Sequence, residues 1–215
     1  MSFLLRQIDA EESRLYYVFE EIASMRLEDG FAFHLVKIKS LMQRHMLYPG
    51  FRIFLSANFG AMRDQIRLDI GIGDLVEPTE REIPQVKFRN NPLFLGDIVL
   101  KTYPIGAIFS EKVETVISKG SLNSRMKDYH DLFIILKNKE RLNTEKLRKQ
   151  VHKTFSKRKT AAGLVNFSDG ALKSLQRLWS AHYLSVANQA YDLDLPKIIE
   201  EIINEINAYL ASNVL

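Results

Sequence analysis

The segment SEKVETVISKGSLNSRMKDYHDLFIIL, residues 110–136, combines two amphipathic patterns with an unusually dense cluster of charge. Up to Lys119, apolar residues recur every three or four positions, which predicts a helix that begins near residue 105. The first stripe comprises Ile105, Ile108, Phe109, Val113, Val116 and Ile117. A second helix is predicted over residues 126–138, with Tyr129, Leu132, Phe133 and Leu136 facing inward. The charged cluster therefore lies at the start of this second helix.

The cluster contains both signs of charge. Asp128 and Asp131 are spaced i, i+3 and share a helical face, with Arg125 one turn earlier. A cap by Asn123 and acids in the first turn would explain the carboxylates, but cations there are mildly unfavourable. Two interpretations of Arg125 and Lys127 stay open: a solvated helix start, or an arginine held by carboxylates that presents its fork to a phosphate.

Two further charged segments allow the same pair of interpretations. Glu111 and Lys112 lie early in the first helix, where a solvated pair and a lysine that binds a phosphate fit equally well. KTFSKRKT, residues 153–160, is a basic run with one aromatic side chain. Its Lys157 and Arg158 fit a solvated helix end or a contact with phosphate or nucleic acid.

The N-terminal half is predicted to contain a sheet. In QIRLDIGI, residues 65–72, Ile66, Leu68, Ile70 and Ile72 alternate with polar residues, which places Asp69 on the opposite face. Residues 31–41 and 51–57 also have strand character, and short connections favour an antiparallel meander. Asp69 is either a solvent-facing residue or a rigid ligand for Mg²⁺, which prefers oxygen donors.

The remaining elements predict an α+β protein with a mixed sheet followed by a helical bundle. A helix is expected over residues 9–29. Residues 77–104 contain four of the six prolines and are expected to form an irregular bridge with at most one short strand. Further helices are expected over residues 144–155 and 168–188 and from Pro196 onward. The predicted domains are residues 1–104 and 105–215.

Composition limits the classes of function. The 215 residues include no cysteine, so disulfides and thiolate metal sites are excluded. No window approaches the roughly 18 apolar residues of a membrane span, and no signal peptide is recognisable, so a cytoplasmic location is expected. Residues 119–159 carry thirteen Lys and Arg against four acids. This segment is either a set of solvated helical faces or a surface for an anionic partner.

Several segments resemble the AbiEii/AbiGii-type toxin family, which has a nucleotidyltransferase fold. The resemblance covers residues 20–205 and rests on segments that occur in the family's order. These are EEIASMRLEDGFAF, YPGFRIFLSANFG, IRLDIGIGDLVEP, YPIGAIFSEKVETVISKG, NSRMKDYHDLFIIL and HKTFSKRKT. The resemblance implies a nucleotidyltransferase-like sheet, a helical C-terminal region, and Mg²⁺-dependent transfer of a nucleotide from a nucleoside triphosphate to an RNA or protein acceptor.

The resemblance also implies roles for individual residues. Three strand carboxylates of such proteins hold Mg²⁺ ions, and Asp69 matches the third. Lys112 matches a lysine expected near the active site. Asp128 and Asp131 match the acids of the C-terminal motif, with Arg125 and Lys127 beside them. An antitoxin protein of acidic character is an expected partner.

One departure from the family pattern bears on activity. The family opens with a glycine-glycine segment and an aspartate pair, and residues 1–60 contain neither; Asp192-Leu193-Asp194 is far downstream. The chain is therefore expected to be truncated and catalytically incomplete alone, with Mg²⁺ bound only if other carboxylates are supplied. A sheet edge left open would be covered by the N-terminal helix, a partner chain or a second copy.

Two alternatives remain open. A non-catalytic module would use the basic segment of residues 119–159 to bind nucleic acid or an acidic antitoxin. A complete enzyme would recruit carboxylates from elsewhere, such as Asp74 or Glu77.

Overall fold

A computed structural model describes residues 2–5, 12–26, 29–41, 50–72, 76–85, 87–92, 96–187 and 194–215. The chain divides into two compact units, Met1–Leu75 and Val76–Leu215. This division lies about thirty residues before the boundary predicted between residues 104 and 105. The difference arises because the proline-containing segment forms ordered strands that belong to the second unit.

The first unit is a four-stranded sheet covered by one helix. Its strands are β1 (Ser2–Leu5), β2 (Phe31–Ser40), β3 (Gly50–Phe59) and β4 (Met62–Ile72), in the order β1-β4-β3-β2. Strands β2 to β4 form the predicted antiparallel meander, and β1 adds to β4 in parallel. Helix α1 (Glu12–Ser24) is shorter than predicted. It contributes Leu15, Phe19 and Ala23 to a core shared with Phe51, Ile53, Leu55 and Ile70.

The described edge strand β2 carries features that oppose pairing with another chain. Its register with β3 shifts between Leu35 and Lys37, and Lys37 and Lys39 are exposed. Bulges and lysines on an edge disfavour intermolecular strand addition.

The segment expected to be an irregular bridge contains four short strands. Strand β5 (Thr79–Ile83) pairs with β8 (Ile98–Thr102), and β6 (Lys87–Phe88) pairs with β7 (Asn91–Pro92). The prediction of at most one strand was wrong because Pro78, Pro84 and Pro104 flank the strands, and Pro92 is the last residue of the two-residue strand β7. Between β6 and β7, Arg89 and Asn90 have φ values of 49° and 66°, the backbone conformation of a tight hairpin turn.

The described residues of the second unit also form five α-helices. They are α2 (Ile105–Lys119), α3 (Met126–Lys137), α4 (Thr144–Arg158), α5 (Asp169–Ala187) and α6 (Ile199–Asn213). Their bounds agree with the predicted ones to within about three residues: α4 extends to Arg158, and α6 begins at Ile199 rather than at Pro196. The apolar stripes meet in one core that includes Phe109, Tyr129, Trp179 and Ile202. Gly120, with φ of 53°, ends α2 in a backbone region that favours glycine.

Candidate functional site

Lys112 on α2 joins the two carboxylates at the start of α3. Its Nζ lies 3.0 Å from Oδ1 of Asp128 and 2.7 Å from Oδ2 of Asp131. The i, i+3 spacing of the two acids brings both to the helical face that meets α2. The side chains of Lys112 and Asp128 are only 20% and 13% exposed, whereas that of Asp131 is 33% exposed. The structure thus brings three predicted catalytic residues into one cluster.

The cluster holds Lys112 in its charged form. Burial alone would lower the pKa of Lys112, but the hydrogen bonds to Asp131 and Asp128 outweigh this effect and raise the pKa. The ammonium is therefore fully protonated at neutral pH, and one cation faces two carboxylates. The hypothesis that Asp128 and Asp131 hold Arg125 is wrong, because the cation that bonds to them is Lys112.

The predicted substrate-binding residues Glu111 and Arg158 lie in a second polar network. Nη1 of Arg158 donates to Oε2 of Glu114 at 2.6 Å, and Oγ1 of Thr160 donates to Oε1 of Glu114 at 2.5 Å. Nη2 of Arg158 is 3.9 Å from Oε2 of Glu111, and the hydroxyl of Tyr103 donates to the other oxygen, Oε1, of Glu111. This network ties the end of α4 to α2.

Glu114 is the residue that the sequence predictions missed in this network. Its side chain is only 4% exposed, so its charge depends on Arg158 for compensation. Helical spacing did not mark it as buried, because at about 100° per residue Glu114 lies off the predicted apolar stripe of Val113 and Val116.

The other predicted substrate-binding residues are cations at the surface. Arg125 and Lys127 are exposed at the first turn of α3, and Lys157 is exposed near the end of α4. The backbone N–H of Arg125 donates to Oδ1 of Asn123 at 3.1 Å, so Asn123 shapes the turn before α3. The predicted cap at Asn123 was wrong, because Arg125 occupies the N-cap position and no side chain caps the helix there.

Asp69 belongs to the first unit and is held by an arginine on the neighbouring strand. Nε and Nη2 of Arg52 donate to its two carboxylate oxygens at 2.6 and 2.8 Å. The hydrogen bond from Arg52 is the main cause that lowers the pKa of Asp69, against a smaller effect of burial. The antiparallel register sets Arg52 directly opposite Asp69, on the polar face of the sheet. Both side chains are a little over one third exposed.

A histidine pair connects α3 to α5 beside the Lys112 cluster. Nδ1 of His130 lies 3.1 Å from Nε2 of His182, and both rings contact the buried Trp179. Burial lowers the pKa of both histidines, and the neighbouring imidazole of His182 lowers the pKa of His130 further. Asp131 partly opposes this effect. The sequence predictions did not pair these residues, because 52 positions separate them.

The residues described here do not fit the Mg²⁺ site that the resemblance implies. Within either unit, the described ranges contain no group of three His, Asp or Glu side chains that could share a metal ion. Both oxygens of Asp69 bond to Arg52, and Asp128 and Asp131 bond to Lys112. Of the alternative carboxylates, Glu77 is exposed, and Asp74 falls outside the described residues.

Comparison with known proteins identifies the family. The sequence profile of the nucleotidyl transferase AbiEii toxin family, of type IV toxin–antitoxin systems, matches residues 3–208. No curated protein matches the chain. No helix in the described parts of the chain is long and apolar enough to cross a membrane. Because the profile spans nearly all of the 215 residues, the chain belongs to the AbiEii nucleotidyl transferase toxin family.

Proposed function

We propose that this protein is a nucleotidyltransferase-like toxin component that binds a nucleoside triphosphate but is catalytically incomplete as this chain alone. The contact of Lys112 with Asp128 and Asp131 carries the proposal. It holds a protonated ammonium between two acids, and the resemblance assigns these three residues to the active site. The reaction that fits the family is transfer of a nucleotide to an RNA or protein acceptor.

The surroundings of Lys112 suit the binding of phosphate. A lysine ammonium acts as a compact point charge for phosphate oxygens. Asp128 and Asp131 fix its position and hold it protonated, so it does not have to be ordered when a ligand arrives. Lys112, Asp128 and Asp131 together carry one excess negative charge, which would repel a phosphate. The exposed Arg125 and Lys127 at the same helix start reverse this sign, so the helix start as a whole attracts an anionic ligand.

The proposed catalytic incompleteness rests on the state of the Asp69 carboxylate on the sheet. Phosphoryl-transfer enzymes that use metal ions need several oxygen ligands to clamp them. In this chain the carboxylate of Asp69 is neutralised by a two-point contact with Arg52. We therefore infer that Mg²⁺ binds at Asp69 only when further carboxylates are supplied and Arg52 is displaced.

A transfer assay tests the catalytic half of the proposal. The pure chain is incubated with Mg²⁺, each of the four labelled triphosphates, and mixed RNA and protein acceptors. Labelling should not exceed that of the Asp69→Asn variant. Strong labelling by the wild type that Asp69→Asn abolishes would show that the chain is a complete enzyme.

A separate titration tests nucleotide binding without catalysis. Calorimetry should detect a triphosphate binding to the wild type, with affinity at least about tenfold weaker for Lys112→Gln, because a charge contact to phosphate is lost. Lys149→Gln is the matched control, since Lys149 is an exposed lysine that pairs with Glu145 on its own helix. Equal affinities of the two variants for the triphosphate would show that Lys112 does not contact it.

The basic segment supports a second candidate, a binding module for RNA or an acidic antitoxin. Eleven of the thirteen cations between residues 119 and 159 are exposed, all but Lys119 and Arg158. Because Arg158 contacts the buried Glu114, a test should leave it intact and combine Lys157→Gln with Lys159→Asn, since asparagine tolerates the left-handed backbone at that position. The variant should bind RNA more weakly and with a smaller salt dependence. Unchanged binding would exclude this surface.

A further inference from the structure

The two faces of the sheet in the first unit differ in their chemistry. Helix α1 covers one face, because its Leu15, Phe19 and Ala23 share a core with apolar side chains of β3 and β4. The described residues of this unit form no second helix that could cover the opposite face. Residues that pair directly in an antiparallel sheet share a face, so the register shows which side chains lie on this opposite face.

The face opposite α1 carries an excess of positive charge. Three rows of paired residues bring charge to it: Lys39, Arg52 and Asp69 in the first, Lys37, Phe54 and Arg67 in the second, and Ala32, Asn58 and Arg63 in the third. We call the five cations, together with Phe54, the basic sheet face. All of these cations except Arg52 are exposed. With strands about 4.8 Å apart and a rise of about 3.4 Å per residue, the face measures roughly 10 by 20 Å.

The acids of the first unit lie mostly elsewhere. Of its six described carboxylates, Asp69 alone belongs to the basic sheet face, where Arg52 binds it. The other five are Glu12, Glu20, Glu21 and Asp29, which are outside the sheet, and Asp64, which pairs with Ala57 on the covered face. The charges of this unit are therefore segregated by face.

Protection of the sheet edges does not explain this segregation. Charges of either sign oppose strand addition, yet every exposed charge among the described residues of the basic sheet face is positive. Lys39 also lies directly opposite Arg52, and like charges in such positions destabilise a sheet. An anionic partner would offset this repulsion.

The composition of the face favours a nucleic acid over an acidic protein as this partner. The cores of protein–protein interfaces are apolar and depleted in lysine, whereas interfaces with nucleic acids are more polar and much more positive. Phe54 lies between Lys37 and Arg67 in the register, and Nζ of Lys37 is 4.9 Å from the centre of its ring. Proteins hold single strands with this combination, because a ring stacks on a base while cations contact phosphates.

We propose that the basic sheet face binds single-stranded nucleic acid by stacking a base on Phe54 and contacting phosphates with its exposed cations. On binding, the base replaces the ammonium of Lys37 over the ring, and the ammonium contacts a neighbouring phosphate. This site belongs to the first unit, so it is distinct from the proposed nucleotide site at Lys112 and from the basic segment of residues 119–159.

Neutralising two cations of the face tests the phosphate contacts. Lys39→Gln combined with Arg63→Gln should bind a labelled single-stranded RNA of about 12 nucleotides about tenfold or more weakly at about 0.1 M salt. The slope of log affinity against log salt should become shallower by about 1.4, since two phosphate contacts are lost. Fluorescence anisotropy measures both quantities, and circular dichroism checks that each variant folds.

The matched control removes the same charge from the other side of the sheet. Arg14→Gln combined with Arg26→Gln alters exposed cations on or directly after α1, and it should leave the affinity within about twofold of the wild type. Equal losses in the two double variants would overturn the proposal. If RNA binds only through residues 119–159, neither variant weakens it, which would overturn this inference and leave the second candidate function intact.

Two further measurements test the kind of partner. Phe54→Leu keeps an apolar side chain at a half-buried position and should weaken the binding of the single strand by about fivefold or more. An unchanged affinity would exclude the stacking contact and overturn the proposal. Polyglutamate should displace the labelled RNA far less well than unlabelled RNA does, and equal displacement would show that the face suits an acidic protein instead.

Discussion

The chain contains two sites at which a cation compensates carboxylate charge, one exposed to solvent and one largely buried. On the sheet, the fork of Arg52 makes two hydrogen bonds to Asp69, and both side chains remain over one third exposed. Between α2 and α3, one lysine ammonium serves two acids and is largely buried. Water screens the first site, so its loss matters little, whereas breaking the second leaves buried charge uncompensated. Burial, rather than the number of hydrogen bonds, decides the energetic weight of each site.

Replacing the bridging cation should produce the largest effect. In Lys112→Met two neighbouring carboxylates lose their partner, and the free energy of unfolding should fall by about 3 kcal/mol. Urea unfolding followed by the fluorescence of Trp179, the only tryptophan, measures this in the helical unit. Lys149→Met, which breaks an exposed pair, should change the value by no more than about 0.5 kcal/mol. Similar losses in the two variants would contradict the role assigned to burial.

Replacing the buried Glu114 should cause the second largest loss in the free energy of unfolding. Glu114→Gln keeps an acceptor for Thr160 but leaves Arg158 without its main charge partner, so we expect a loss of about 2 kcal/mol in the same urea measurement. Glu145→Gln, at an exposed position of α4, is the control and should be nearly neutral. A neutral effect of Glu114→Gln would mean that Arg158 finds another partner.

The histidine pair should make stability depend on pH, with a smaller effect. The pKa values of His130 and His182 are lowered in the folded state, so below about pH 6.5 the unfolded chain binds protons that the folded chain does not. The free energy of unfolding should therefore fall as the pH drops from about 6.5 toward the folded-state values. Asp131 and Lys127 are the charged neighbours that modify this range.

His182→Asn should make this pH dependence shallower. The matched comparison is His152→Asn, which removes an exposed histidine of α4 outside the pair. Equal slopes in all three proteins, measured by urea unfolding between pH 5 and 7, would show that the pair titrates as free histidines do.

The exposed pair on the sheet should give the smallest effect. Asp69→Asn removes a screened contact, and hydrogen exchange of the β3 and β4 amides should report a loss below about 1 kcal/mol. Since the pKa of Asp69 is lowered in the folded state, its contribution is present above about pH 3.9 and is lost as the pH falls through the folded-state value. A loss of stability larger than that caused by Lys112→Met would show that the exposed site contributes more than the buried one, contrary to the role assigned to burial.

Local periodicity explains what the sequence predicted well. The bounds of α2 and α3 follow from apolar spacing, and the shared face of Asp128 and Asp131 follows from their i, i+3 positions. Lys112 was connected to them through the family resemblance, because the packing of α2 on α3 is a property of the folded chain.

The partner of Asp69 escaped prediction for a specific reason. The predicted strands over residues 51–57 and 65–72 are seven residues apart, but only Gly60 and Ala61 separate β3 from β4. This short connection fixes the register that sets Arg52 opposite Asp69. The contacts of Glu114 with Arg158 and of His130 with His182 link distant helices, so local patterns did not reveal them.

The place of β1 in the sheet imposes an order on folding. Strands β2, β3 and β4 pair with their chain neighbours, but Ser2 pairs with Asp69, 67 positions downstream. Closing so long a loop carries a larger entropic penalty than closing a hairpin, so β1 should dock last. At synthesis rates of about 5–20 residues per second, the apolar strand β1 waits several seconds after leaving the ribosome before its partner exists. During that interval it is a natural target for chaperones.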